Sequence, residues 1–151
     1  MLPIQHIHPI IVHFPIVFVL TLAALDLIAI TRGSLSTGRT AYGNVSAGLA
    51  VSAAVFALIA FQFGDIALEF AEDRGFHSDI AETHEMLGMV LATVLTLWGA
   101  LRALLWWRNI KLSGPVLALV PVVELACAGI VLATAFYGGQ LIYTLGVNVA
   151  H

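Results

Sequence analysis

Charge is what this sequence has least of. Of 151 residues, 6 are Lys or Arg and 9 are Asp or Glu, so charged residues make up 10% of the chain and hydrophobic ones 60%. A soluble domain typically carries about 25% charged residues, and so few charges cannot cover the surface of a soluble globule this size. The shortage excludes an ordinary cytoplasmic enzyme, a coiled coil and a disordered tail. A single cysteine, Cys127, cannot form an intrachain disulfide and says nothing of redox compartment. The net charge of -3 offers no basic footprint for DNA or RNA, so no nucleic-acid partner is expected. Walker A, dinucleotide-fingerprint, CxxCH, HExxH and CxxC motifs and Ser-His-Asp ordering are all missing, and with them most familiar enzyme classes. An electron carrier or complex subunit fits better than a stand-alone enzyme.

What is there is apolar and long. Mean hydropathy is +0.99, and four stretches reach the roughly 20 apolar residues that a bilayer helix needs. They run over about 10–30, 45–70, 86–107 and 115–136. The start, MLPIQHIHP, lacks a positive n-region, so the first run reads as a span rather than a cleaved signal peptide. Alanine and leucine dominate, against a strand barrel. The three connections are short and rich in Gly, Ser or charge, which favours antiparallel neighbours. The expected fold is all-α: a polytopic transmembrane antiparallel four-helix bundle, one integral membrane domain over 1–151.

The basic residues set its orientation. Arg32 and Arg39 lie in the first connection, Arg102, Arg108 and Lys111 flank the third, and Arg74 alone lies opposite. The positive-inside rule puts connections one and three in the cytoplasm and both termini outside. Trp106 and Trp107 read as an interfacial belt on the cytoplasmic side.

Intramembrane polar groups carry the functional argument. His13, about one turn into the first span, and His84, opening the third, fall at matching depth near the outward surface. Two facing imidazoles hold a haem iron from both sides; each alone also fits a plain interhelical hydrogen bond. Gly88, Ala92 and Gly99 form a small-residue stripe below His84, suited to a flat macrocycle or to close helix packing. Gln62, Asp65 and Glu69 share a stripe on the second span. Asp65 is positioned to accept the second ring N–H of a ligating histidine, or simply to fix the bundle. Glu124 has no expected basic partner within the membrane, so it reads as protonated, hydrogen-bonded to Asp26, Gln62 or a hydroxyl, or in proton or subunit contacts. Asp26 reads as a residue at the water interface. His6, His8 and His77 join His13, His84, Asp79, Glu82 and Glu85 in a loose outward group compatible with a surface zinc or copper site. Tyr137, Gln140 and Tyr143 stand where a quinone headgroup or an interfacial anchor would.

The segment HPIIVHFPIVFVL (His8 to Leu20), Asp26, Gly64-Asp65, His84 and GGQLIYTLGVNV (Gly138 to Val149) together resemble the Domain of Unknown Function 2231 family of four-span bacterial membrane proteins. The resemblance covers nearly the whole chain. It implies that His8, His13, Asp65, His84 and a Gly138-Gly139 turn belong to a shared pattern. It also implies a bacterial inner membrane and weakly favours an electron-transfer context. The family's ending has a His-Gly-Val-Gly-Val-like stretch; Leu145 stands at its histidine and Asn148 at its second glycine.

The functional expectation is a membrane-embedded electron-transfer subunit binding haem b near the outward face, with a quinone as possible electron partner. His13 and His84 would ligate the iron, and Asp65 and Gly88 would line the site. The alternative is a cofactor-free accessory or structural subunit of a larger membrane complex, with the lipid bilayer and other membrane or redox subunits, or further copies of itself, as partners.

Overall fold

The computed structural model describes residues 7–147. His6, Asn148 and Val149 lie outside the described residues. Five helices form in chain order: α1 (His8–Ile11), α2 (His13–Thr31), α3 (Ala41–Glu72), α4 (Asp79–Trp107) and α5 (Gly114–Tyr143). The pair α1–α2 makes one 24-residue span, so four apolar stretches are long enough to cross a membrane. The protein is a multi-pass membrane protein built as a four-helix bundle.

Local chemistry sets the boundaries. Pro9 sits in the first turn of α1, where its missing N–H costs nothing. Pro15 cannot donate to the Ile11 carbonyl, and its ring crowds that same carbonyl. The chain accordingly breaks at Val12 between α1 and α2. Thr40 caps α3, its Oγ1 accepting from Gly43 N at 2.9 Å. Ser78 caps α4, with Asp79 and Glu82 in the first turn, where the helix dipole favours negative charge.

Helix α5 runs seven residues beyond the expected end at Phe136. Gly138 and Gly139, expected as a turn, are helical. A glycine pair lowers helix propensity, but here one of the two makes room for a side chain from another helix, described below.

Around the bundle, α2 packs on α3, α3 on α4, α4 on α5 and α5 on α2, while the diagonal pairs α2/α4 and α3/α5 do not touch through their backbones among the described residues. The starts of α1 and α4 meet the far ends of α3 and α5, so neighbouring spans alternate in direction. The α3–α4 seam is built on small residues. A Cβ on Gly99 would come within 2.9 Å of the Ala54 Cβ and 3.0 Å of the Ala50 carbonyl oxygen. Close backbone approach of this kind is the usual way to pack helices in lipid, where no hydrophobic effect drives them together. At mid-bundle a core of Val19, Ala53, Ala57, Leu91, Leu95 and Val131 separates two polar regions.

The first polar region lies toward connections one and three. Arg102, expected to flank a loop, is buried at 2% exposure. Its Nη1 donates to Asp26 Oδ2 at 2.6 Å and to Glu124 Oε1 at 3.1 Å, and its Nη2 donates to the Ser36 carbonyl at 2.8 Å. Ser46 Oγ donates to Asp26 Oδ1, and Trp98 Nε1 to Glu124 Oε1 at 3.3 Å. Three sequence expectations change together. Asp26 is wholly buried rather than interfacial, Glu124 has a basic partner, and Arg102 does not belong to the loop charges. The reason is reach: a guanidinium on a long stem crosses the bundle centre from α4 to α2, which no backbone pair on that diagonal does. Glu124 Oε2 and Ser36 Oγ are buried with no hydrogen-bond partner among the described residues.

Candidate functional site: a histidine pair across the bundle

At the opposite end, His8 opens α1 and His84 lies in the second turn of α4. Their ring centroids are 6.0 Å apart and their planes are nearly perpendicular, at 87°. His8 Nδ1 donates to the Ala60 carbonyl of α3 at 2.8 Å, and His84 Nδ1 donates to the Thr134 carbonyl of α5 at 2.9 Å. A carbonyl only accepts, so each Nδ1 carries a hydrogen, and in the neutral ring that leaves the lone pair on Nε2. Neither Nε2 has a hydrogen-bond partner among the described residues.

The two anchors share one design. In a regular helix the Ala60 carbonyl accepts from the N–H of residue 64, and the Thr134 carbonyl from that of residue 138. Both positions are glycine. A Cβ on Gly64 would stand 2.8 Å from His8 Cε1, and one on Gly138 would stand 2.9 Å from His84 Cε1. Each imidazole therefore fills the space that a side chain would occupy on the helix it bonds.

A cavity of about 530 Å³ opens beside the pair, within the range of roughly 300–1,000 Å³ usual for small-molecule and cofactor sites. Its walls are mainly apolar and include Ile16, Ala57, Phe61, Leu91 and Val131.

His13, Asp65, His84 and Gly88 all line this cavity, in different ways. His84 faces the cavity, but its opposite number is His8 rather than His13. His13 is exposed and reaches only the cavity wall. Five residues are about 140° past a full turn of helix, so His13 turns to a different face from His8 and stays exposed. Asp65 lines the cavity yet is exposed, as are Gln62 and Glu69. Backbone carbonyls, not Asp65, take the second ring N–H groups. Gly88 also lines the cavity, with only Phe61 Cδ2 near a would-be Cβ, at 3.8 Å. The small-residue stripe thus splits: Gly88 fronts the cavity while Gly99 packs against α3. The missed residues were Gly64 and Gly138. The signal for them was present, since both lie beside His8 and His84 in the pattern shared with the family. Among the described residues no group of three or more His, Cys, Asp or Glu is placed to hold a metal ion, so the described members of the loose outward group are not gathered into one.

The family described as "Predicted membrane protein (DUF2231)" matches residues 5–151. The chain belongs to that family. The match takes in both histidines, both glycines and the buried arginine cluster, so both polar regions fall inside the family's domain. No curated protein and no solved structure matches the chain.

Proposed function

We propose that this protein is a membrane-embedded electron-transfer subunit that binds haem b between His8 and His84. The observation that carries the reading is the pair of neutral imidazoles, each oriented through Nδ1 and each keeping Nε2 as a donor to a metal. The ring centroids stand 6.0 Å apart, a spacing at which one metal would be within reach of both rings at bonds of roughly 2.0–2.1 Å.

Charge favours haem over a bare cation. No carboxylate bonds either imidazole, and a dication in an apolar cavity with two neutral ligands keeps its full charge at high cost. A porphyrin would bring two negative charges of its own and suit apolar walls such as Phe61, Leu91 and Val131. When bound, haem would supply a reversible one-electron change. His8 and His84 would hold the iron, the Ala60 and Thr134 carbonyls would keep the rings in register, and the apolar walls would keep water away. Tyr143 lines the cavity and, with Gln140, an adjoining open groove, which is where a quinone would approach.

The same reading places the site on the outward face of a bacterial inner membrane. With Arg102 buried, Arg32, Arg39, Arg108 and Lys111 still oppose Arg74, and the positive-inside rule assigns their end to the cytoplasm. The test is a reduced-minus-oxidised spectrum of natively purified protein. A b-type spectrum lost in both His8→Ala and His84→Ala, and kept in His13→Ala, is the expected result. A colourless preparation from haem-supplied cells sinks the reading.

A second reading is a cofactor-free subunit of a larger membrane complex. What favours it is that no three-ligand group exists among the described residues and that the buried polar network is consumed in holding helices together. Mild-detergent extraction at native expression decides it: a colourless protein in stable association with other subunits is the outcome this reading requires.

A further inference from the structure

We infer that Gly64 and Gly138 are positioning residues that set the tautomer and direction of the two imidazoles, so that each hairpin of the bundle contributes one equivalent half of a ligand site. The ligand's identity rests on the haem reading above; the role of the glycines does not.

The same module occurs twice, on independent elements. In the first hairpin, His8 of α1 bonds Ala60 of α3, and the glycine four residues further on is Gly64. In the second, His84 of α4 bonds Thr134 of α5, and the glycine four residues further on is Gly138. In both, the nearest atoms to the missing Cβ are Cε1 and then Nδ1 of the histidine, at 2.8 and 3.0 Å for Gly64 and at 2.9 and 3.3 Å for Gly138. Other helical glycines lack this relation. Gly48 and Gly129 have nothing within 4 Å, and Gly139 has only Tyr143 Cδ2 at 4.0 Å.

An added methyl must therefore displace the ring, and the ring cannot yield without stretching its Nδ1–H···O bond. Freed from the carbonyl, the imidazole is no longer restricted to the Nδ1–H form, and Nε2 no longer has a fixed direction. Helix propensity works the other way, because alanine is the better helix former by about 1 kcal/mol. Backbone weakening is thus not the route by which these substitutions act.

The experiment uses the full chain in detergent with 15N-labelled histidine rings. In the wild type, His8 and His84 should both show the Nδ1–H tautomer. Gly64→Ala should alter the ring signals of His8 alone, Gly138→Ala those of His84 alone, and Gly139→Ala neither. Unchanged ring signals in Gly64→Ala and Gly138→Ala overturn the inference. Hemin titration gives a second readout: Gly138→Ala should lower affinity by about 10–100-fold, as loss of a ligand-orienting partner typically does, and move the iron from low to high spin. Gly129→Ala, outside the cavity and with open space at its Cβ position, should match wild type. If the wild type binds no hemin, the haem reading fails while the ring signals still decide the role of the glycines. Should Gly138→Ala fold poorly, His84→Ala is added to it. With the ring gone the methyl has room, and stability should return to that of His84→Ala alone. No return contradicts the inference.

Discussion

The two polar ends of the bundle use buried hydrogen-bonding groups in opposite ways. At the Arg102 end, a guanidinium crosses the bundle diagonal and is met by Asp26, Glu124 and the Ser36 carbonyl, and connection one closes over it. Thr37 Oγ1 accepts from Leu112 N at 2.8 Å, and Arg39 N donates to Asn109 Oδ1 at 2.8 Å. Most donors and acceptors there are paired, Glu124 Oε2 and Ser36 Oγ excepted. At the histidine end the diagonal is again crossed by side chains, but each ring uses one nitrogen and faces a cavity with the other. Asp26 and Arg102 each follow a histidine of their own span, His8 and His84, by eighteen residues, about five helical turns or 27 Å of rise. The same two spans therefore carry both regions on corresponding faces. A network built on a buried ion pair fixes geometry, whereas a pair of rings each using one nitrogen is equipped to receive something.

The largest effect is expected from breaking the Arg102 end. Arg102→Met leaves two buried carboxylates without a cation, and removing one partner of a buried ion pair typically costs about 3–5 kcal/mol. Denaturant or thermal unfolding in detergent measures it. Asp26→Asn, Glu124→Gln and Arg102→Met combined should recover much of that loss, because no uncompensated charge remains. A single Arg102→Met of wild-type stability would mean the cluster is not the structural lock its geometry suggests. Glu124→Leu likewise reports on folding rather than on a partner, since Glu124 faces inward.

Breaking the histidine end should separate function from stability. His8→Ala and His84→Ala each remove one hydrogen bond to a backbone carbonyl, about 0.5–1.5 kcal/mol, and each should abolish hemin binding outright. His13→Ala should do neither. Equal loss of hemin binding in all three variants would contradict the assignment of His8, and hemin binding that survives His84→Ala would contradict the pair itself.

Much of this was legible in the sequence, and the failures have physical causes. Apolar length found all four spans because lipid enforces it. Helix ends were read short wherever a polar or glycine residue interrupted the apolar run: α3 begins at Ala41, ahead of Val45, and α5 continues through Gly138. His84 was identified by depth along its helix. His8 was not, because the first apolar run was read from Ile10, which left His8 outside the span; the helix starts at His8, and eighteen residues of helix put it on the face of Asp26. Arg102 was taken for a loop charge because sequence position near a helix end does not reveal the side to which a long side chain turns.

A smaller effect tests whether the ends are independent. Thr40 Oγ1 caps α3 near the Arg102 end, and loss of such a cap typically costs about 1 kcal/mol. Thr40→Ala should lower the unfolding free energy by that amount with hemin affinity unchanged. A parallel fall in affinity would show that strain passes through the mid-bundle core, contrary to the separation drawn above.

The smallest change in stability, and the most local one, is expected from Pro15→Ala. Position 15 regains an N–H for the Ile11 carbonyl, which favours a continuous helix through Val12. Against that, the buried proline ring loses its contacts. The two terms oppose, so the unfolding midpoint should move less than in Thr40→Ala. The site should be equally indifferent. Val12 already has helical dihedrals, φ -58° and ψ -24°, so the restored bond does not re-aim α1, and hemin affinity and the ring signals of His8 and His84 should match wild type. A fall in affinity with a change in the His8 signals alone would show that the irregularity at Val12, and not only the helical register shared with Asp26, places His8 on the Ala60 carbonyl.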